Sequence, residues 1–365
     1  MSVKRSRDTS HTLEALARVV GVSRATASNA FNRPDQLSAE LRERILRTAR
    51  EIGYSGPDPT ARALSRGRRG TVGLVFTEHL SYAFSDPAAV RLLEGIAQAC
   101  EEAETGLVLL PIAAGGEGST ERAINAAAVD ALALYSLPDH DPAIQAARVR
   151  GISLVTIDQP QIVGIPYVGI DFRLAAKLAL SHLLSLGHRK VAILGYRLTP
   201  ERHHGAITQA QQRKASYHST RVRLKGYHDA LAAFGLGWDT LRFIESESND
   251  QAGGLQSSME LLGEGDRPSA ILTDSDQLAA GALAAAAALG LAVPQRLSVI
   301  GMDDVASASL GHPALTTIRQ PLVEKGRAVG EILLGHRSGR SRVLLPVELI
   351  VRESTGPLWG NREGR

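Results

Sequence analysis

From Thr71 onward the chain repeats one local pattern, a short apolar run followed by a stretch with apolar residues at helical spacing. The first series reads TVGLVF, a helix over 87–104, GLVLLPI, a helix over 119–128, ALALYSL, a helix over 141–150, and SLVTID. A second begins at Tyr167 with YVGID, a helix over 172–186, KVAILGY, a helix over 219–235, LRFIES, a helix over 252–262, SAILTD, an alanine-rich helix over 276–289, and LSVIGMDD. Strands that alternate with helices must pair through crossovers, which dictates a parallel sheet with helices on both faces. Two such series in tandem predict two α/β lobes and a cleft between them, and ligands of open parallel sheets sit beyond the strands' carboxyl ends. The polar segment 197–216 interrupts the pattern and reads as a long loop. His203 and His204 within it have no metal-ligand spacing around them and are expected to be solvated.

The residues before Thr71 follow another rule. Thr12 can cap a helix whose Leu13, Leu16, Ala17 and Val20 form an inward stripe, with Glu14 in its first turn, until Gly21 ends it. Ser23 caps a second helix of about eight residues, in which Ala27, Ala30 and Phe31 face inward and Arg24, Ala25, Thr26, Ser28 and Asn29 face out. Ser38 caps a third, with Leu41, Ile45, Leu46, Ala49 and Ile52 inward and four arginines among its other positions, before Gly53 and Tyr54 close the small core. Residues 1–70 hold 14 Lys/Arg against 7 Asp/Glu, whereas the remainder holds 27 against 31. A basic head on a mildly acidic body fits a polyanionic partner for the head alone. An ordinary bundle with a solvated basic face would explain the charge but not the turn spacing or the small, polar second helix, which suit a DNA major groove.

Between head and body lies SGPDPTARALSRGRRG, where Asp58 can cap and Pro59 suits the first helical position. Under two turns of helix are marginal alone, because nucleation costs more than they return. The expectation is a linker that becomes helical over 58–66 only when paired with its dimer mate on DNA, wedging Leu64 into the minor groove with Arg62 beside it. The first ten residues are basic and without an apolar core, and are expected to be disordered.

At 365 residues and 44% hydrophobic, the chain holds two or three domains and is not disordered as a whole. Cys100 is the only cysteine, which excludes an intrachain disulfide and fits a reducing compartment. With no uncharged run of bilayer length the protein is expected in the cytoplasm, without membrane contact. A Walker A loop, a GxSxG elbow, a dinucleotide GxGxxG and an HExxH helix are all missing, so neither an enzyme nor a cofactor is expected. Asp274 and Asp276, two apart, are read as helix-start capping groups rather than a metal pair, Asp276 capping the alanine-rich helix.

Taken together, VSRATASNAFN, PDPTARAL, SHLLSLGHRKVAIL, RLKGY, SDQLAAGA, LSVIGMDD and LTTIRQP occur in the order and spacing of the LacI/GalR family of transcriptional regulators, which the chain resembles over nearly its whole length. The resemblance implies an α-helical helix-turn-helix head over 1–56, a hinge over 57–70, and an α/β two-lobed, periplasmic-binding-protein-like body over 71–365. Lobe one would comprise about 71–170 and 321–345, lobe two about 171–320 and 346–356, with crossings near Ile170, Gln320 and Leu345. It also implies base contacts from Arg24, Ala25 and Asn29 and phosphate contacts from Thr12, Ser23, Thr26, Ser28 and Asn32. Asn29 stands where many members carry Arg, which shifts the expected preference from guanine to adenine. Ala27 replaces a common Val, and Gly56 is an extra residue before Pro57.

For the cleft, the resemblance carries over Arg223, Asp303, Asp158 and Ser275 as effector contacts. A forked donor and a carboxylate, such as Arg223 and Asp303, can hold vicinal hydroxyls, although each could instead serve structure, Arg223 by bridging to Asp303. Tyr82, Phe84 and Tyr135 are aromatic candidates for stacking, and Asn249 occupies a position that often supplies Trp or Phe in the family. The resulting expectation is a homodimeric regulator, most readily a repressor, whose affinity for double-stranded operator DNA is switched by a small sugar-like effector. An effector-independent or nucleobase-responsive regulator is the alternative, with a solute-binding transport protein more distant.

Overall fold

The computed structural model describes residues 12–56, 69–112, 119–263, 265–337 and 342–358. The expected disorder of the first ten residues, the hinge helix over 58–66, and Arg62 and Leu64 lie outside them. The chain divides into a head ending at Gly70 and a body beginning at Thr71.

In the head, α1 (Leu13–Val20), α2 (Arg24–Asn32) and α3 (Ala39–Glu51) start at Thr12, Ser23 and Ser38, whose side chains accept from the amides of Ala15, Thr26 and Leu41. Each cap satisfies an amide that the first helical turn cannot, a contribution of about 1 kcal/mol. Gly21 ends α1 at φ 77°, a left-handed conformation that glycine adopts without penalty. Leu16, Ala30, Ile45 and Ala49 form the core, sealed by Phe31 and Tyr54 edge to face at 5.6 Å. Ala27, fully buried, lets α2 cross α1 closely. The extra Gly56 sits at φ 108°, where a side chain would be strained and would abut the Phe31 ring.

The body contains two sheets. One, entirely parallel, has the order β12 (Arg342–Leu345), β5 (Tyr167–Ile170), β4 (Ser153–Ile157), β3 (Ala131–Tyr135), β1 (Thr71–Phe76), β2 (Gly106–Pro111). The other runs β13 (Glu348–Ile350), β11 (Thr316–Arg319), β10 (Ser298–Asp303), β9 (Ala270–Thr273), β6 (Val191–Tyr196), β8 (Leu241–Ser246), β7 (Gly205–Ala206), with only β13 and β7 antiparallel. Successive side chains leave a strand on opposite faces, and the cores obey this. Val72, Leu74 and Phe76 of β1 enter one cluster and Val75 another, as do Ile193 of β6 against Ala192 and Leu194. Buried on both faces, these strands read as continuous apolar runs.

Between the sheets the chain passes three times: after Ile170, after Arg319, and between Leu345 and Glu348. The second passage leads into the helix Leu322–Leu333, which packs on lobe one against the helix Pro87–Glu102. Gly326 and Gly95 make that packing possible. A Cβ on Gly326 would lie 2.0 Å from the Leu92 carbonyl oxygen, and one on Gly95 1.9 Å from that of Val323. The two backbones touch.

The segment 197–216 is more structured than its polarity suggests. It contributes β7 to the sheet edge and a turn of helix, Gln209–Gln212, fixed by a capping box between Thr208 and Gln211. His204 is not merely solvated: its Nε2 lies 2.8 Å from Glu260 Oε2, and the Nδ1 atoms of both His203 and His204 are buried without a hydrogen-bond partner. Among the described residues no cluster of three metal-ligating side chains occurs, and no helix is long and apolar enough to cross a membrane.

Candidate functional site: the interlobe cavity and the helix-turn-helix face

The sheets of the body direct their carboxyl ends toward a shared cavity of about 170 Å³. Much of its wall is made of residues that end strands or closely follow them: Phe76 to Glu78 from β1, Tyr135 and Ser136 from β3, Asp158 and Gln159 from β4, Tyr196 and Arg197 from β6, Asp274 and Ser275 from β9, Asp303 from β10 and Gln320 from β11. Four of them, Ser136, Asp158, Arg197 and Asp303, have φ of 56°, 62°, 62° and 117°. Left-handed conformations at non-glycine residues cost about 1–3 kcal/mol each and concentrate where side chains must be aimed at a site. Here all four lie on the cavity wall.

Seven of the eight sequence-derived candidates line this cavity: Arg223, Asp303, Asp158, Ser275, Tyr82, Tyr135 and Asn249. Phe84 does not. It lies on the outer side of the short helix Tyr82–Ser85 and is 66% exposed, because one helical turn places residues two apart on opposite faces. The pairings also differ from those expected. Arg223 bridges to Asp274 at 3.3 Å, places a guanidinium nitrogen 3.3 Å from Met302 Sδ, and stacks over the Phe172 ring at 4.7 Å. Its Nε is buried without a partner. Asp303 instead accepts a hydrogen bond from Gln320 Nε2.

Asp276 does not cap its helix. Ser275 does, its side chain accepting from the Leu278 amide, while Asp276 accepts from Thr317 Oγ1 at 2.6 Å and the Val305 amide at 2.9 Å and so ties the helix start to β11. Asp274, likewise read as a capping group, is the partner of Arg223. Burial raises the pKa of Asp303 well above the usual carboxylate range, and the carboxylates of Asp276 and Asp86 push it further. Asp276 is raised for the same reason, burial first.

Sequence reasoning missed the cation beneath the floor. Lys325, 1% exposed, holds Asp158 Oδ1 and Oδ2 at 2.8 and 3.0 Å and also donates to Gln320 Oε1. It missed Asp86 as well, the cap of the helix Pro87–Glu102, which accepts from Tyr82 Oη at 2.7 Å. Tyr82 in turn receives a bond from Asn249 Nδ2 at 2.8 Å, and Asn249 Oδ1 one from Ser275 Oγ at 2.6 Å. A polar chain therefore joins the lobes. Glu78 joins them again, pairing with Arg197 at 2.7 Å and accepting from Tyr196 Oη at 3.0 Å, and Gln159 Oε1 accepts from Ser219 N and Oγ at 2.8 and 2.7 Å. The signal available for Glu78, Arg197 and Gln320 was their position within two residues of a strand's carboxyl end.

On the head, Arg24 and Ala25 are exposed and Thr26, Ser28, Asn29 and Asn32 half-buried. Arg24 rests against Glu14 at 3.2 Å, and Asn29 Nδ2 donates to Gln36 Oε1 at 3.1 Å, a partner that the sequence did not suggest. Thr12 and Ser23 each use an oxygen lone pair for capping, and Ser23 Oγ also lies 2.8 Å from Thr26 Oγ1.

A three-helix head of helix-turn-helix form and a two-lobed, periplasmic-binding-protein-like body define a class, the DNA-binding transcriptional regulators. Residues 12–56 match the model described as bacterial regulatory proteins, lacI family, and residues 180–355 that of the periplasmic binding protein-like domain. The chain is 40% identical over 352 residues to the HTH-type transcriptional regulator Rv3575c of Mycobacterium tuberculosis, covering 95% of this chain and 97% of that one. It is 27% identical to the lac repressor dimer bound to operator and the anti-inducer ONPF, with a TM-score of 0.77 over 94% of this chain and 99% of that one. It is 28% identical to a CelR–cellobiose complex, with a TM-score of 0.66 over the same shares. The chain belongs to the lacI family of bacterial transcriptional regulators.

Proposed function

We propose that this regulator is a homodimeric repressor acting in the cytoplasm, whose affinity for an operator is switched by a small, hydroxylated metabolite held in the interlobe cavity. The observation that carries the reading is the convergence of Arg223, Asp303, Asp158, Ser275, Tyr82, Tyr135 and Asn249 on one cavity at the strands' carboxyl ends. The CelR–cellobiose and lac repressor–ONPF complexes, similar chains with small molecules bound, support it. On the DNA side Arg24, Ala25 and Asn29 read bases, while Thr12, Ser23, Thr26, Ser28 and Asn32 hold phosphates, which position the head without reading sequence. Arg62 and Leu64 act from the hinge, 57–70, at the minor groove. Two heads are needed because one such module offers limited contact area, and two-fold symmetry matches two half-sites.

The lobes bridge through Glu78–Arg197 and Tyr82–Asn249. An effector changes DNA affinity only by binding one lobe arrangement better than another, and such couplings are worth about 5- to 150-fold. The test is a mobility-shift titration of the full chain on DNA fragments that it selects from a random pool, with and without sugars, polyols and nucleobases. A change in affinity of that size with one compound class, accompanied by thermal stabilisation, supports the reading. Selective DNA binding that no compound alters replaces it with an effector-independent regulator.

A further inference from the structure

Asn29, the proposed base reader of α2, does not stand alone. Its side chain is half-buried, and its Nδ2 donates to Gln36 Oε1 at 3.1 Å. Gln36 is exposed and closes the single 3₁₀ turn Pro34–Gln36 that follows α2. The turn itself is firmly placed. The Gln36 amide donates to the Arg33 carbonyl at 3.1 Å, the Leu37 amide donates to that of Pro34 at 3.3 Å, and Leu37 packs against the core of the head. Backbone and core therefore fix where the Gln36 side chain starts. Among the described residues neither side-chain amide has another partner.

We propose that Gln36 is a positioning residue for DNA recognition: by taking one hydrogen of the Asn29 amide, it sets the preference of Asn29 for adenine over guanine. The inference rests on the assignment of Asn29 as a base reader. An asparagine amide has two N–H donors and one oxygen acceptor. With one hydrogen on Gln36, Asn29 keeps one donor and Oδ1, and adenine offers the matching acceptor, N7, and donor, N6–H2. Guanine offers two acceptors, N7 and O6, and so asks for two donors. The second donor is the one that Gln36 holds. Without Gln36 the amide turns freely, because the last torsion of asparagine has a broad profile. Fixing one such side chain before binding is worth about 2- to 12-fold in affinity, and here that gain falls on one base.

The experiment is a binding-site selection with the full chain from a random DNA pool, followed by affinity measurements on the selected site and on its adenine-to-guanine change. It compares the wild type with Asn29→Ala, Gln36→Met, Gln36→Glu and the double variant Asn29→Ala/Gln36→Met. Methionine keeps the length of Gln36 and removes the acceptor, whereas glutamate keeps the acceptor and adds a negative charge. Asn29→Ala is expected to flatten one base pair in each half-site. Gln36→Met is expected to lower the preference for adenine over guanine at that same base pair by about 2- to 12-fold and to leave the other positions as they were. Gln36→Glu is expected to keep the preference while weakening binding to every sequence, since its charge repels phosphates whatever the bases. In the Asn29→Ala background, Gln36→Met is expected to change nothing at that base pair. A purely structural role would lower affinity for all sequences alike in Gln36→Met and leave the preference intact, which overturns the inference. A change at a different base pair overturns it too, because Gln36 would then read a base itself, and so does selection of guanine by the wild type. If Asn29→Ala flattens a position that Gln36→Met leaves unchanged, only this inference fails; if Asn29→Ala flattens none, the assignment of Asn29 fails and takes the inference with it.

Discussion

Replacing Lys325 by Met removes the only cation on Asp158 among the described residues and leaves its carboxylate, 8% exposed, without a counter-charge. Breaking a buried pair from one side costs about 3–5 kcal/mol, mostly as the penalty of the stranded charge rather than as lost attraction. Here three contacts go together, two to Asp158 and one to Gln320, so the upper half of that range is expected. Asp158→Asn, which tolerates the φ of 62° at that position, strands Lys325 instead and costs a similar amount. The double variant strands neither and is expected to recover at least about 2 kcal/mol relative to the sum of the singles. Urea denaturation of the full chain, followed by circular dichroism across the four proteins, measures the coupling. Single variants that each lose under about 1 kcal/mol, or losses that simply add, would refute the view that this pair holds the crossover helix to the end of β4.

Gly326→Ala forces a methyl group into the Leu92 carbonyl, and since backbone faces backbone it is expected to destabilise by at least about 2–3 kcal/mol. Gly263→Ala, which meets nothing within 4 Å, is the neutral control in the same melts. Asn29→Ala is expected to relax preference at one base pair per half-site in a binding-site selection while leaving the rest of the site unchanged, and an unaltered sequence preference would remove Asn29 as a reader. Asp276 has a raised pKa, so its favourable contribution is fully present below the ordinary aspartate range and is lost as pH rises through the raised value. Asp276→Asn should therefore flatten the decline in stability that the wild type shows from acidic toward neutral pH, and parallel profiles for the two proteins would count against the assignment.

Which parts of this protein the sequence could and could not specify follows from the range of the forces involved. Caps at Thr12, Ser23 and Ser38 act over three residues, and the burial of β1, β3 or β6 on both faces is written in consecutive apolar residues, so the helices of the head and the central strands are legible without a fold. The segments read less well were those whose partner lies elsewhere. β7 is two residues long and exists because β8 offers it an edge, and β12 and β13 are short edge strands contributed by one stretch of chain to two different sheets. Residue type and the rule that ligands gather beyond parallel strands brought most of the cavity's candidates into view. Phe84 failed because packing turns Tyr82 toward the cavity, and helical spacing then sends the residue two further on to the opposite face.

What only the tertiary structure decided was the pairing of charges. Arg223 was open to a bridge with Asp303 and pairs with Asp274 instead, and Asp158 found Lys325 at a separation of 167 residues. Coulomb attraction has no sequence signature at such distances, since any cation in the chain satisfies it equally until the backbone brings one of them to 2.8 Å. The alternation of strand and helix from Thr71 determined that there would be two lobes and a cleft. Only the crossing helix, its Gly326 set against another helix's backbone and its lysine beneath Asp158, determined which carboxylate of that cleft gained a buried cation.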